Sequence, residues 1–204
     1  MSASISRRTL LPSAACTLLF GPGAIAQPAR PAVDFAVPNF GGPPLRLAAG
    51  RLIVTRAFVP VTQPPRFEGS MIVSATDTLA DWASKHLIAG WSNSPRTAVF
   101  TIREASLVGQ PVRVEKGLGD MFRKQVAERY TLKLVADLEI QHETGQSLGV
   151  AAAEATTSLG VLEGAKDADR QVTWHNMLIS VMDNFAQTLE RTVRTQLQHH
   201  LAGG

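Results

Sequence analysis

The 204-residue chain contains one cysteine, Cys16, and it falls inside an amino-terminal stretch that reads as a removable leader. A mature form lacking that stretch has no thiol to form a disulfide, complete a zinc site or attack a substrate. Sequence signatures of catalysis are also missing. There is no G-x-S-x-G elbow, and Gly117-Leu118-Gly119 lacks both the Lys-Ser/Thr of a phosphate loop and a preceding apolar strand. Charge of one sign is scarce too. The chain has 20 basic and 17 acidic residues, and removing Arg7 and Arg8 with the leader leaves eighteen basic against seventeen acidic, about +1. Lys and Arg are scattered among Asp and Glu and form no basic stripe with interleaved aromatics, so nucleic acid is not an expected partner.

The content is that of a globular protein, 45% apolar and 18% charged, long enough to bury one core. Ser6-Arg7-Arg8-Thr9-Leu10-Leu11 begins a basic segment that leads into a modest apolar stretch ending near Phe20. Ala24-Ile25-Ala26 then supplies a small-residue cleavage site. This order predicts a signal peptide over residues 1–26, with paired arginines resembling the twin-arginine export motif. The apolar part is too short to span a bilayer comfortably. Cys16 has Ser13 where a lipobox has a leucine-like residue, and the apolar run continues past it through Leu18, Leu19 and Phe20. An ordinary signal-core residue is preferred over an acylated one, and the expected location is the periplasm.

Residues 27–50 hold Pro28, Pro31, Pro38, Pro43 and Pro44 with Gly41 and Gly42, and are read as a linker or extended arm. Residues 51–204 are read as one domain. Strands are predicted over 52–58 and 97–107, and a helix starts from Thr76 or Asp77 as cap and ends by Gly90. Tyr130, Leu132, Leu134, Ala136, Leu138 and Ile140 alternate with polar neighbours, the period of a strand with one wet face, which favours antiparallel pairing. Glu143 to Gln146 is a turn into an Ala-rich strand over 148–161 whose small residues suit close approach by a helix. Asp167 or Asp169 then caps a helix of some thirty residues with its apolar stripe at Trp174, Leu178, Val181, Met182, Phe185, Leu189 and Val193. The order β-α-β-β-β-α implies an α+β fold, a four-stranded mainly antiparallel sheet with two helices packed on one face.

Chemistry is thinly spread. His86 and His175 sit on predicted helices, His142 borders a turn, and His199 and His200 point in different directions as neighbours. Asp137 and Glu139 share the wet face of one strand, where a solvated surface is the bland alternative to acid–base work. No cofactor and no metal site is indicated. Trp82, Trp91 and Trp174 fall near helix ends, and packing is preferred for them over a ligand groove. Met121-Phe122 beside Arg123-Lys124 is a mixed apolar and basic patch at a loop edge that could touch an anionic lipid headgroup or a protein partner; a solvated turn is the plain alternative.

The segments AVFTIREASL (Ala98 to Leu107), QVAERYTLKLVADL (Gln125 to Leu138) and MDNFAQTLERTVR (Met182 to Arg194) resemble a group of uncharacterised exported proteins of alphaproteobacterial type. The element order is similar to that of lipopolysaccharide-assembly lipoproteins and of auxiliary lipoproteins of lipid-transporting ABC systems, which are α+β domains that act by binding. The missing lipobox is a departure from both. The resemblance implies a non-enzymatic binding or accessory protein of envelope assembly or lipid transport, with peripheral membrane contact and an envelope protein complex or lipid as partner. A hydrolase with scattered catalytic residues and a purely structural interaction domain are the alternatives.

Overall fold

A computed structural model of the chain describes residues 34–112 and 125–202. The signal-peptide reading of residues 1–26 lies outside that range. The elements run β1 (Leu45–Leu47), β2 (Arg51–Arg56), α1 (Ala75–His86), β3 (Leu87–Ala89), β4 (Thr97–Pro111), β5 (Val126–Gln141), β6 (Ser147–Leu162) and α2 (Asp167–Gln196), with single 3-10 turns at Glu68–Ser70 and Gln198–His200.

The fold is α+β, with a four-stranded sheet in the order β2-β4-β5-β6. That sheet is mixed, which corrects the expectation of a mainly antiparallel one. The β4-β5 and β5-β6 pairs are antiparallel, but β2 runs parallel to β4, from Arg51 opposite Thr97 to Arg56 opposite Ile102. The cause is the connection. β2 returns to the sheet only after crossing over through α1, and a helical crossover brings the next strand back in the same direction. Two three-residue strands were not foreseen: β1 pairs parallel with β3 as a second, small sheet.

The period-two pattern of β5 is realised as written. Tyr130, Leu132, Leu134, Ala136, Leu138 and Ile140 are buried, and the residues between them are only partly so. The positive φ of Gly145, 83°, closes the tight turn between β5 and β6 in a conformation open to glycine without strain. On β6, Ala151, Ala153 and Ala155 lie beneath α2, as their size implied. The apolar stripe of α2 from Trp174 to Val193 is buried in the same core as Leu79, Trp82 and Ala83 of α1. Thirty residues of helix reach about 45 Å, enough to follow most of the 16-residue strand β6.

Helix starts differ slightly from the reading. Ser74 caps α1, its hydroxyl accepting from the Asp77 backbone N–H at 3.2 Å, in place of Thr76 or Asp77. In α2 the N-cap is Lys166, and Asp169 reaches back to accept from its N–H at 3.0 Å. The linker expectation for 27–50 also needs correcting. Phe40, Leu45, Leu47, Ala48 and Ala49 are buried, four of them in the same core as the helices and β3, while Ala36 and Val37 stay exposed.

Candidate functional site

β4 and β5 form a long hairpin whose connecting residues, 113–124, hold the Met121, Phe122, Arg123 and Lys124 candidate site. These four residues lie outside the described range. The hairpin end that carries them is described on both sides. Val112 N–H donates to Ala127 O at 2.8 Å, and Glu163 N–H donates to Gln125 O at 2.9 Å. Three apolar residues at this end stay exposed: Val126 and its register partner Leu162, and Leu159 opposite Tyr130. On an unbroken strand such as β6 over this stretch, odd and even positions face opposite sides, so Leu159 and Leu162 place apolar surface on both faces of the sheet end. Arg129, exposed beside them, adds a positive charge.

Just inside that end lies a polar cluster that the sequence did not reveal. Arg170, in the second turn of α2, clasps Glu128 with two bonds of 3.0 Å each, and the Tyr130 hydroxyl donates to the same carboxylate at 2.7 Å. The Arg170 and Tyr130 hydrogen bonds hold the Glu128 carboxyl below its ordinary range. Burial, reinforced by Glu128, pushes the Tyr130 phenol up to about 12. Phe67 and Trp174 pack edgewise or tilted against Tyr130 and each other, with ring centroids 5.3 to 5.9 Å apart. A cavity of about 430 Å³ opens between these rings, Arg170 and Gln171. Every charged group of the cluster is already bonded to another, so its chemistry is that of a clamp joining α2 to β5. Glu128 and Tyr130 are two apart on one strand, the only trace of it in the sequence.

A second cavity, about 490 Å³, lies where residues 37–44 pass along α1. His86 is buried there, stacked on Trp82 at 5.2 Å, and its Nε2 is 3.2 Å from Glu190 of α2. Gly42 N–H also donates to Glu190, and the Trp82 indole donates to Phe40 O, each at 3.2 Å. His86 is therefore a core histidine joining two helices and the arm.

The remaining sequence candidates separate. His175 is buried against Phe35, His142 bonds Thr144 within one exposed turn, and the His199 ring lies 3.3 Å from the Gln198 amide. Asp137 is paired with Arg103 across the strands, and Glu139 accepts from Gln141. Trp82 and Trp174 are core residues, while Trp91 is half exposed. Among the described residues no three His, Cys, Asp or Glu side chains are grouped to hold a metal, and no helix is long and apolar enough to cross a membrane.

No family model matches the chain, and no curated protein does, so the resemblance to alphaproteobacterial exported proteins gains no support. The chain is similar to solved lipoprotein structures. A minor lipoprotein from Acinetobacter baumannii matches at 13% identity and TM-score 0.38, covering 78% of this chain and 99% of that one. The rare lipoprotein B from Shewanella oneidensis matches at 11% identity and TM-score 0.42, covering 73% and 99%. Both scores lie below the level of a shared fold.

Proposed function

We propose that the chain is an exported, non-enzymatic binding protein of the bacterial envelope, accessory to envelope assembly or lipid transport, that engages its lipid or partner at the β4-β5 hairpin end. One observation carries this reading. The sheet ends in exposed Val126, Leu159 and Leu162, close in sequence to Met121, Phe122, Arg123 and Lys124 in the segment that connects β4 to β5. Apolar side chains beside lysine and arginine match an interface of acyl chains and anionic headgroups, since the former gain by leaving water and the latter attract the cations. The ion-paired state of Glu128, Arg170, Asp137 and Arg103 supports binding over turnover, because each group is engaged in holding the fold.

Vesicle co-sedimentation tests it. The protein is expected to sediment with vesicles containing anionic phospholipid and to remain in solution with purely zwitterionic ones. Met121→Asp with Phe122→Asp should abolish sedimentation while His86→Ala, His142→Ala and His175→Ala, each checked for folding, leave it in place. Equal partition to both vesicle types, or binding indifferent to the Met121 and Phe122 changes, refutes the lipid form of the proposal.

A further inference from the structure

The two edges of the sheet are unlike. β2 is six residues long, bounded by Arg51 and Arg56, and followed by a Pro-bearing segment, the usual protection of an edge against another strand. β6 is 16 residues long, contains no Pro, Lys or Arg, and has Glu154 as its one charge. Among the described residues its outer backbone edge has no strand partner. Ala152, Glu154, Thr156 and Ser158 on its outer face are exposed, and Val150, Leu159 and Leu162 are exposed apolar residues on the same strand.

We infer that this chain dimerises through β6, two copies pairing antiparallel about a two-fold axis at Thr156 to join their sheets. The register follows from the side chains. With Thr156 opposite its copy, Val150 faces Leu162 of the other chain and Leu159 faces Ala153, so each exposed apolar residue of the strand meets an apolar one. Glu154 falls opposite Ser158, away from its own copy, and the central Thr–Thr pair is a favourable cross-strand combination. One residue of slip would put inward and outward side chains opposite each other.

The helix layer permits it. Two helices each about 10 Å wide cover four strands spaced about 4.8 Å, so the copies of α2 would lie about 10 Å apart, a normal packing distance. α2 runs antiparallel to β6: Leu197 lies over Gly149, and Arg170 holds Glu128, whose register partner is Val161. Thr156 is therefore level with the middle of α2. The axis then sets Arg194, in the last turn, level with Asp167 and Asp169 in the first turn of the other α2, a complementary arrangement of charge and dipole. Thirteen paired residues, about 44 Å of strand roughly 10 Å deep, bury on the order of 900 Å² in total. That is near the lower limit for a specific interface, so the dimer should dissociate in the micromolar range.

Sedimentation velocity of the purified chain across micromolar to hundred-micromolar concentrations is the primary test. A monomer–dimer equilibrium is expected, and Thr156→Lys, which sets two ammonium groups face to face at the axis, should hold the chain monomeric; it also lies opposite Lys133 within its own sheet, so a small, salt-dependent fall in thermal midpoint accompanies it while the chain stays folded. In a Cys16→Ser background, Thr156→Cys should form a disulfide dimer on mild oxidation, whereas Ala152→Cys, placed opposite Gly160, should not. Neither position lies at the hairpin end, but pairing would cover Leu159 and Leu162, so vesicle binding is measured on the monomeric Thr156→Lys variant, where loss of dimer and loss of vesicle binding read separately. A chain monomeric throughout, a dimer that survives Thr156→Lys, or cross-linking through Ala152→Cys in place of Thr156→Cys overturns the inference.

Discussion

Tyr130 is the single tyrosine of the chain, so a phenolate absorbance titration of the folded protein reads one residue. Its hydroxyl is enclosed by Phe67 and Trp174 and donates to Glu128, and both burial and the nearby carboxylate disfavour the ionised form. The midpoint is expected at about 12. Glu128→Gln should lower it but leave it above the ordinary value, because burial is the larger cause. A midpoint at the free-tyrosine value in protein that is still folded would disprove the enclosed geometry. Stability follows with definite signs. Tyr130 has a folded-state value above the unfolded one, so its contribution is complete below the ordinary tyrosine range and is lost as pH rises toward about 12. Glu128 has a depressed value, so the Arg170 clamp stabilises above the ordinary carboxyl range and fails as pH falls below it. None of this was legible in the sequence, since Glu128 and Arg170 are 42 residues apart and only the fold brings them to 3.0 Å.

At the scale of the element, alternation made β5 readable and neighbours decided what it pairs with. Leu134 is fully buried, and Leu134→Asp should cost about 4 kcal/mol through an unpaired charge in the core. Lys133 faces the other side. Sequence periodicity alone makes Lys133→Asp nearly silent, but the structure sets Lys133 between Glu104 at 3.5 Å and Glu154 at 3.2 Å. Reversing its charge groups three carboxylates, and a small, salt-dependent drop in the thermal midpoint is expected, vanishing at high ionic strength. Chemical denaturation of the two variants side by side checks the facing of the strand; equal losses would show it to be wrong. The long elements were legible because β5 and α2 each repeat one period over ten or more residues, and β6 because a turn leads into a run of Ala, Thr, Val and Leu. β1 and β3 were not, because three residues contain no period, and the direction of β2 was not, because a parallel or antiparallel partner is set by the path of the intervening chain.

Over the whole molecule, the segment least readable from composition is the one that closes the fold. Five prolines and two glycines between residues 27 and 45 indicate an arm, and composition cannot show that Leu47 within it is fully buried. That burial depends on the other end of the chain. Ala48 N–H donates to His200 O at 2.7 Å, Ala202 N–H donates to Arg46 O at 2.8 Å, and Leu47 bridges Leu201 in antiparallel fashion, so the carboxyl-terminal residues flank β1 on the side away from β3. The candidate hairpin end lies at the opposite end of β4, since Thr97 starts that strand and Pro111 closes it. A stop codon replacing His199 removes both hydrogen bonds and the half-buried Leu201 while leaving α2 and Leu197 whole. At about 1 kcal/mol for each hydrogen bond and a similar amount for the apolar contact, the loss should be about 3 kcal/mol, a clear fall in thermal midpoint. Vesicle binding, measured below the new midpoint, should persist because the proposed contact at the hairpin end is remote from the cut. An unchanged midpoint would mean that residues 199–204 contribute nothing to closing the fold, and loss of binding in the still-folded truncated protein would move the proposed contact away from the hairpin and toward β1 and the residues that flank it.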